Sequence, residues 1–130
     1  MKTFSLHPME KLKHRKIIES LFQNGKAIFV FPFKIVFNTT AHNGLFSLKF
    51  MVSVPKRNFK KAVDRNLLRR RTKESFRIQK HHLTDFLIEK KFTCDLIFIY
   101  QGKEKLTYEE INSSIFKAIE KLKLQLDKTF

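Results

Sequence analysis

The sequence predicts a two-layer α/β (α+β) sandwich, a single domain over residues 1–130 with the order α-β-β-α-β-α and a mixed sheet, on three observations. The chain has 130 residues, 42% of them apolar and fifteen of them Phe, enough for one packed core and too aromatic for a disordered tail. Its hydrophobic period switches from about 3.6 to 2 and back along the chain, which alternates helix with strand. No repeat, low-complexity stretch or linker interrupts it.

The first helix is "PMEKLKHRKIIESLFQNGKA". Pro8 suits a first turn, Leu12, Ile17, Ile18, Leu21 and Phe22 recur at three- and four-residue spacing, and Asn24-Gly25 ends the helix. In "AIFVFPFKIVFN" the period is two, with Phe29, Phe31, Phe33, Ile35 and Phe37 on one face and Val30, Pro32, Lys34 and Val36 on the other. This reads as one strand near a sheet edge, since Pro32 has no N–H for a ladder. "TTAHNG" is a turn, and "LFSLKFMVSV" a second strand with Phe46, Leu48, Phe50, Val52 and Val54 inward and Ser47, Lys49, Met51 and Ser53 outward. The two strands are expected to form a hairpin. After "PKRNFKK" comes a basic helix, with Asn58 as a candidate cap. "TCDLIFIY" is a buried strand, and "TYEEINSSIFKAIEKLKLQL" a final amphipathic helix with Ile111, Ile115, Ile119 and Leu122 inward.

Lys and Arg number 27 against 12 Asp and Glu, a net charge of +15. A field of that size attracts polyanions, nucleic acid first and an anionic membrane second. A lone cysteine, Cys94, cannot form an internal disulfide, which suits a reducing compartment. No apolar run matches a signal peptide or a membrane span, so a cytoplasmic protein without membrane association is expected.

The charge is concentrated in "AVDRNLLRRRTKESFR". At about 100° per residue, Asn66, Arg69, Arg70, Lys73 and Arg77 fall within an arc of roughly 100°, with Leu68, Thr72, Ser75 and Phe76 directed to the other side. Like charges at i,i+4 repel by a few tenths of a kcal/mol per pair, roughly. Phosphates offset that repulsion through charge-assisted hydrogen bonds and counterion release. A solvated surface face is the ordinary explanation of such a stripe; at this net charge, with Asn66 set among the cations, an RNA contact is the stronger one.

"KLKHRKIIESLFQNGK", "VSVPKRNFKKAVDRNLLRRRTKESFR", "CDLIFIY" and "LTYEEI", in this order and at these separations, resemble the protein subunit of bacterial ribonuclease P over about residues 11 to 126. The most specific part is the family's Arg-Asn-Arg signature, here Arg65, Asn66, Arg69 and Arg70 followed by Lys73, Glu74, Phe76 and Arg77. The resemblance implies a ribosomal S5 domain 2-like fold with a left-handed β-α-β crossover, where the usual rule gives a right-handed one. It also implies a cofactor of a ribonucleoprotein endonuclease that removes the 5′ leader of precursor tRNA. The partner RNA would carry catalysis and the Mg2+ ions, the protein binding no cofactor or metal of its own, as a monomer paired with a single RNA. By position, Lys56, Arg57, Arg65, Asn66, Arg69, Arg70, Lys73 and Arg77 would contact the catalytic RNA. Ile18, Phe22, Lys34, Val36, Lys49, Met51 and Ser53 would line a cleft for the single-stranded 5′ leader. From the residues alone, Ile18 and Phe22 read more readily as core, while Phe22 beside Lys34 and Lys49 would supply an aromatic platform with positive charge.

The sequence departs from the family pattern at three places. Met51 stands where a small residue is common, Pro55 precedes the basic pair Lys56-Arg57, and Tyr100-Gln101 ends the third strand where Arg is frequent. Five histidines (His7, His14, His42, His81, His82) lack metal-ligand spacing, and the carboxylates Asp64, Glu74, Asp85 and Asp95 are scattered, so the chain by itself is not expected to catalyse hydrolysis. Two other classes share the basic balance: a structural RNA-binding protein such as a ribosomal protein, and a module for anionic membranes. The basic helix lacks the apolar face that the second would need.

Overall fold

The computed structural model describes residues 23, 25–41 and 48–129. The expected first helix, with Ile18 and Phe22, lies outside the described residues. Four strands, β1 (Lys26–Val30), β2 (Phe33–Ala41), β3 (Leu48–Ser53) and β4 (Phe92–Tyr100), form one mixed sheet in the order β1-β2-β4-β3. Helices α1 (Ala62–Gln79), α2 (His81–Lys90) and α3 (Tyr108–Thr129) contribute to a single large core with one face of that sheet.

The strand expected over "AIFVFPFKIVFN" is two strands. Phe31 and Pro32 form a turn, and β1 folds back antiparallel on β2 with Phe29 opposite Lys34 and Ile28 opposite Ile35. Reversal changes which β1 side chains face inward: Ile28 is buried, while Phe29 and Phe31 are 58% and 75% exposed. The period of two survives the turn, but the face does not.

The expected hairpin between the second and third strands does not form either. Strand β4 lies between them, antiparallel to β2 and parallel to β3. Its composition explains the placement. Leu96, Ile97 and Phe98 are consecutive and all fully buried, so both faces of β4 are covered, and a central position buries more of that apolar surface than an edge would.

Helix α1 directs Leu68, Thr72, Ser75, Phe76 and Gln79 inward. Phe76 packs on Phe50 of β3 and Phe98 of β4, with ring centroids 4.5 and 5.1 Å apart. The buried polar groups are satisfied. Thr72 donates to the Leu68 carbonyl, the Ser75 hydroxyl donates to Asn112 Oδ1 at 2.7 Å, and Gln79 Nε2 donates to the same oxygen at 2.8 Å. Asn58 does not cap this helix: its backbone N–H donates to the Pro55 carbonyl in the preceding turn, and Lys61 occupies the cap position with no side-chain bond.

Helix α2 was not expected from the sequence. Leu83 and Leu87 are its buried positions, one turn apart, and it ends where Lys91 takes a left-handed conformation at φ 60° without the glycine that usually signals such an end. Helix α3 matches its expected pattern. Thr107 and Glu110 form a reciprocal capping box, with Glu110 N–H donating to Thr107 Oγ1 at 3.2 Å and Thr107 N–H to Glu110 Oε1 at 3.1 Å. Ile111, Ile115, Ile119 and Leu122 are all buried.

Candidate nucleic-acid interface

Two surfaces lie on opposite sides of this core. On the outer face of α1, Asn66, Arg69, Arg70 and Lys73 share one shallow depression with Glu74 and Arg77. Its cations are not equivalent. Arg70 and Lys73 are exposed and make no ion pair among the described residues. Arg69 Nη2 donates to Asn66 Oδ1, which holds the guanidinium beside the amide and leaves the Asn66 NH2 group to donate outward. Arg77 pairs with Glu74, and that hydrogen bond holds the Glu74 carboxyl below its usual range.

Arg65 is engaged in the protein itself. Its Nη1 donates to the carbonyls of Phe59 and Lys60, each at 2.8 Å, tying α1 to the loop that precedes it. Phe59 is buried against Tyr100. Lys56 and Arg57 project from the same loop and are exposed, so Arg65 sets the position of that basic pair. Arg71, the signature-helix cation outside the predicted set, donates to the Leu106 carbonyl at 2.6 Å and anchors the segment before α3.

The second surface is the sheet face turned away from the large core. Register places its side chains in three rows across β2, β4 and β3: Lys34, Ile99 and Ser53; Val36, Ile97 and Met51; Asn38, Asp95 and Lys49. The middle row is apolar. Val36 and Ile97 are buried and, with Met51 and Ile99 packed on them, form a second, smaller cluster. All five predicted positions on β2 and β3 therefore share one face. Sequence reasoning missed the β4 contribution, Asp95, Ile97 and Ile99, because the unbroken apolar run from Leu96 to Tyr100 gives no alternation to separate the faces of the strand. Asn38 was missed as well.

Asp95 sits opposite Lys49 in the parallel register. Burial pushes its carboxyl above the usual range, and the Lys49 charge only partly offsets this. Cys94 points the other way into the core, where desolvation, and next to it the Asp95 charge, raise its thiol far above the ordinary value. Tyr100, at the end of β4, is also turned to the core: its hydroxyl donates to the Glu104 carbonyl at 2.6 Å and accepts from Leu106 N–H at 3.2 Å. Gln101 is exposed beyond it. His81 and His82 lie side by side at the α1–α2 junction, exposed, with ring centroids 4.0 Å apart and planes inclined by 39°. No helix among the described residues is long and apolar enough to cross a membrane.

A family model described as Ribonuclease P matches residues 6–123. The ribonuclease P protein component of Porphyromonas gingivalis is 30% identical over 117 residues, covering 90% of this chain and 85% of that protein. Among solved structures, the ribonuclease P protein of Thermotoga maritima superposes with a TM-score of 0.67 at 21% identity, covering 86% of this chain and 96% of that one. The Staphylococcus aureus protein superposes with a TM-score of 0.66 at 21% identity, covering 87% and 94%. These structures share the mixed four-stranded sheet with its packed helices, and the sequence relationship goes further than the fold: the chain belongs to the ribonuclease P protein family.

Proposed function

We propose that this chain is the protein subunit of a ribonucleoprotein endonuclease that removes the 5′ leader from precursor tRNA, with the partner RNA carrying catalysis and the magnesium ions. The observation that carries the proposal is the position of Asn66, Arg69, Arg70 and Lys73 on the exposed face of α1, opposite five buried residues of the same helix. A cationic face backed by a packed core holds its charges in a fixed array, which suits the phosphates of a folded RNA.

The sheet face takes the other role. Single-stranded RNA exposes both phosphates and unstacked bases, and this face carries Lys34 and Lys49 beside the half-buried Met51 and Ile99. Only the precursor has a leader, so affinity for it favours precursor over mature tRNA without any chemistry by the protein. Lys56, Arg57 and Arg65 extend the catalytic-RNA surface, Arg65 through the loop it holds.

The test is cleavage of 5′-labelled precursor tRNA by a bacterial ribonuclease P RNA at low magnesium and moderate salt, with and without the protein. Release of the intact leader only when both are present, and none with protein alone, is the expected result. Tight RNA binding by a folded protein with no stimulation would assign it instead to the structural RNA-binding proteins.

A further inference from the structure

Phe29 is an exposed aromatic side chain on an otherwise well-packed sheet, and its surroundings distinguish it from an ordinary surface residue. It pairs with Lys34 across the β1–β2 ladder, so both side chains rise from the same face of the sheet. Lys34 pairs in turn with Ile99, and Ile99 with Ser53. Phe29 therefore extends the first of the three rows by one strand, at its outer edge. The Lys34 ammonium lies 5.9 Å from the Phe29 ring centroid, within cation–π range. The backbone beneath the ring is fixed, since Lys121 Nζ donates to the Phe29 carbonyl at 3.0 Å and the Ser114 hydroxyl to the Phe31 carbonyl at 2.9 Å. With 58% of the residue exposed, the ring presents a π-surface to solvent from a backbone that does not need ordering on binding.

The middle row lacks any aromatic group: Val36 and Ile97 are buried, and the half-buried Met51 offers apolar contact but no flat surface. Single-stranded RNA is held by aromatic platforms beside positive charge, because every base has a π-face and every nucleotide a phosphate. Phe29 and Lys34 supply this pair at adjacent positions. We infer that Phe29 is a stacking platform for one base of a single-stranded RNA segment lying on this sheet face, with Lys34 meeting the neighbouring phosphate. The inference rests on the leader reading above and adds to it a specific contact on β1.

Precursor tRNA affinity of the protein–RNA holoenzyme tests it, measured for wild type, Phe29→Ala, Phe29→Leu and Phe29→Tyr, with mature tRNA as the reference. Precursors carrying one abasic nucleotide stepped through the leader form a second set. Phe29→Ala and Phe29→Leu are expected to weaken precursor binding about fivefold to tenfold, the lower range for loss of one base stack. Mature tRNA and catalytic-RNA affinities should stay unchanged, and Phe29→Tyr should keep wild-type affinity. One abasic position should weaken wild-type binding and have no further effect on Phe29→Leu. Equal precursor affinity for Phe29→Leu and wild type, with leader preference intact, would overturn the stacking role and leave the leader reading standing. Absence of leader preference in the wild type would overturn both. The Leu and Tyr variants preserve volume at the edge strand, so their comparison decides the matter even if Phe29→Ala folds poorly.

Discussion

Arg65 Nη1 donates to the Phe59 carbonyl oxygen at 2.8 Å, so the first arginine of the signature helix closes the basic loop onto that helix. Truncation should act on the fold as well as on RNA. Arg65→Ala is expected to lower stability by about 1.5–3 kcal/mol, the range for a lost hydrogen bond from a charged donor, measurable by urea unfolding. Arg70→Ala and Lys73→Ala, whose side chains are exposed, should leave stability within about 0.5 kcal/mol. A stability loss from Lys73→Ala equal to that from Arg65→Ala would contradict this division.

The same exposed pair should set the salt dependence of RNA binding. Each lost phosphate contact lowers the slope of log affinity against log salt by about 0.9 on a duplex. The Arg70→Ala/Lys73→Ala double variant should therefore show a slope shallower by about 1–2, in titrations of the catalytic RNA between low and moderate salt. Combined with Lys49→Ala on the opposite side of the core, its effects on catalytic-RNA and leader affinity should add, because the two surfaces share no side chain.

Asp95 places a carboxylate on a face proposed to bind phosphates. Its proton affinity is raised in the fold chiefly by burial, so ionisation costs stability. For a raised carboxyl the favourable contribution is present below the unfolded value and is lost as pH rises through the folded one. Asp95→Asn should accordingly be more stable than wild type at neutral pH, with the difference vanishing as pH falls through the carboxylate range. It should also bind leader-bearing RNA more tightly at neutral pH, since a negative charge next to Lys49 is removed. Lower stability of Asp95→Asn at neutral pH would mean that the Lys49 pairing outweighs desolvation.

Asn112 on α3 joins that helix to Ser75 and Gln79 of α1 through its side-chain oxygen. Asn112→Ala leaves both α1 groups without that partner in a buried setting, and a cost of about 1–3 kcal/mol follows, read as a shift of the unfolding midpoint at unchanged slope. Asn112→Asp, which keeps the acceptor, should recover part of the loss.

Cys94 is 1% exposed, and its thiol is held protonated by burial. The folded protein should resist thiol-specific reagents at neutral pH and react completely only on denaturation. Rapid modification of the native protein would show that β4 opens locally.

The faces of α1 and α3 were legible before folding was considered. The inward positions of α1 and α3 follow from spacing alone, because a helix fixes which residues share a face within each turn, and the stripe of Asn66, Arg69, Arg70 and Lys73 was legible for the same reason. The inside and outside of β3 were equally legible from its alternation. Strand order was not, since pairing partners are chosen by burial across distant segments. The doubly buried β4 takes the centre of the sheet and separates β2 from β3. Nor was the reversal at Phe31 and Pro32, which turns an apparently continuous strand into two and moves Phe29 from the core face to the side of Lys34. Where both faces of a strand are apolar, as in β1 and β4, only the tertiary fold decides which of them meets the large core and what stands beside it.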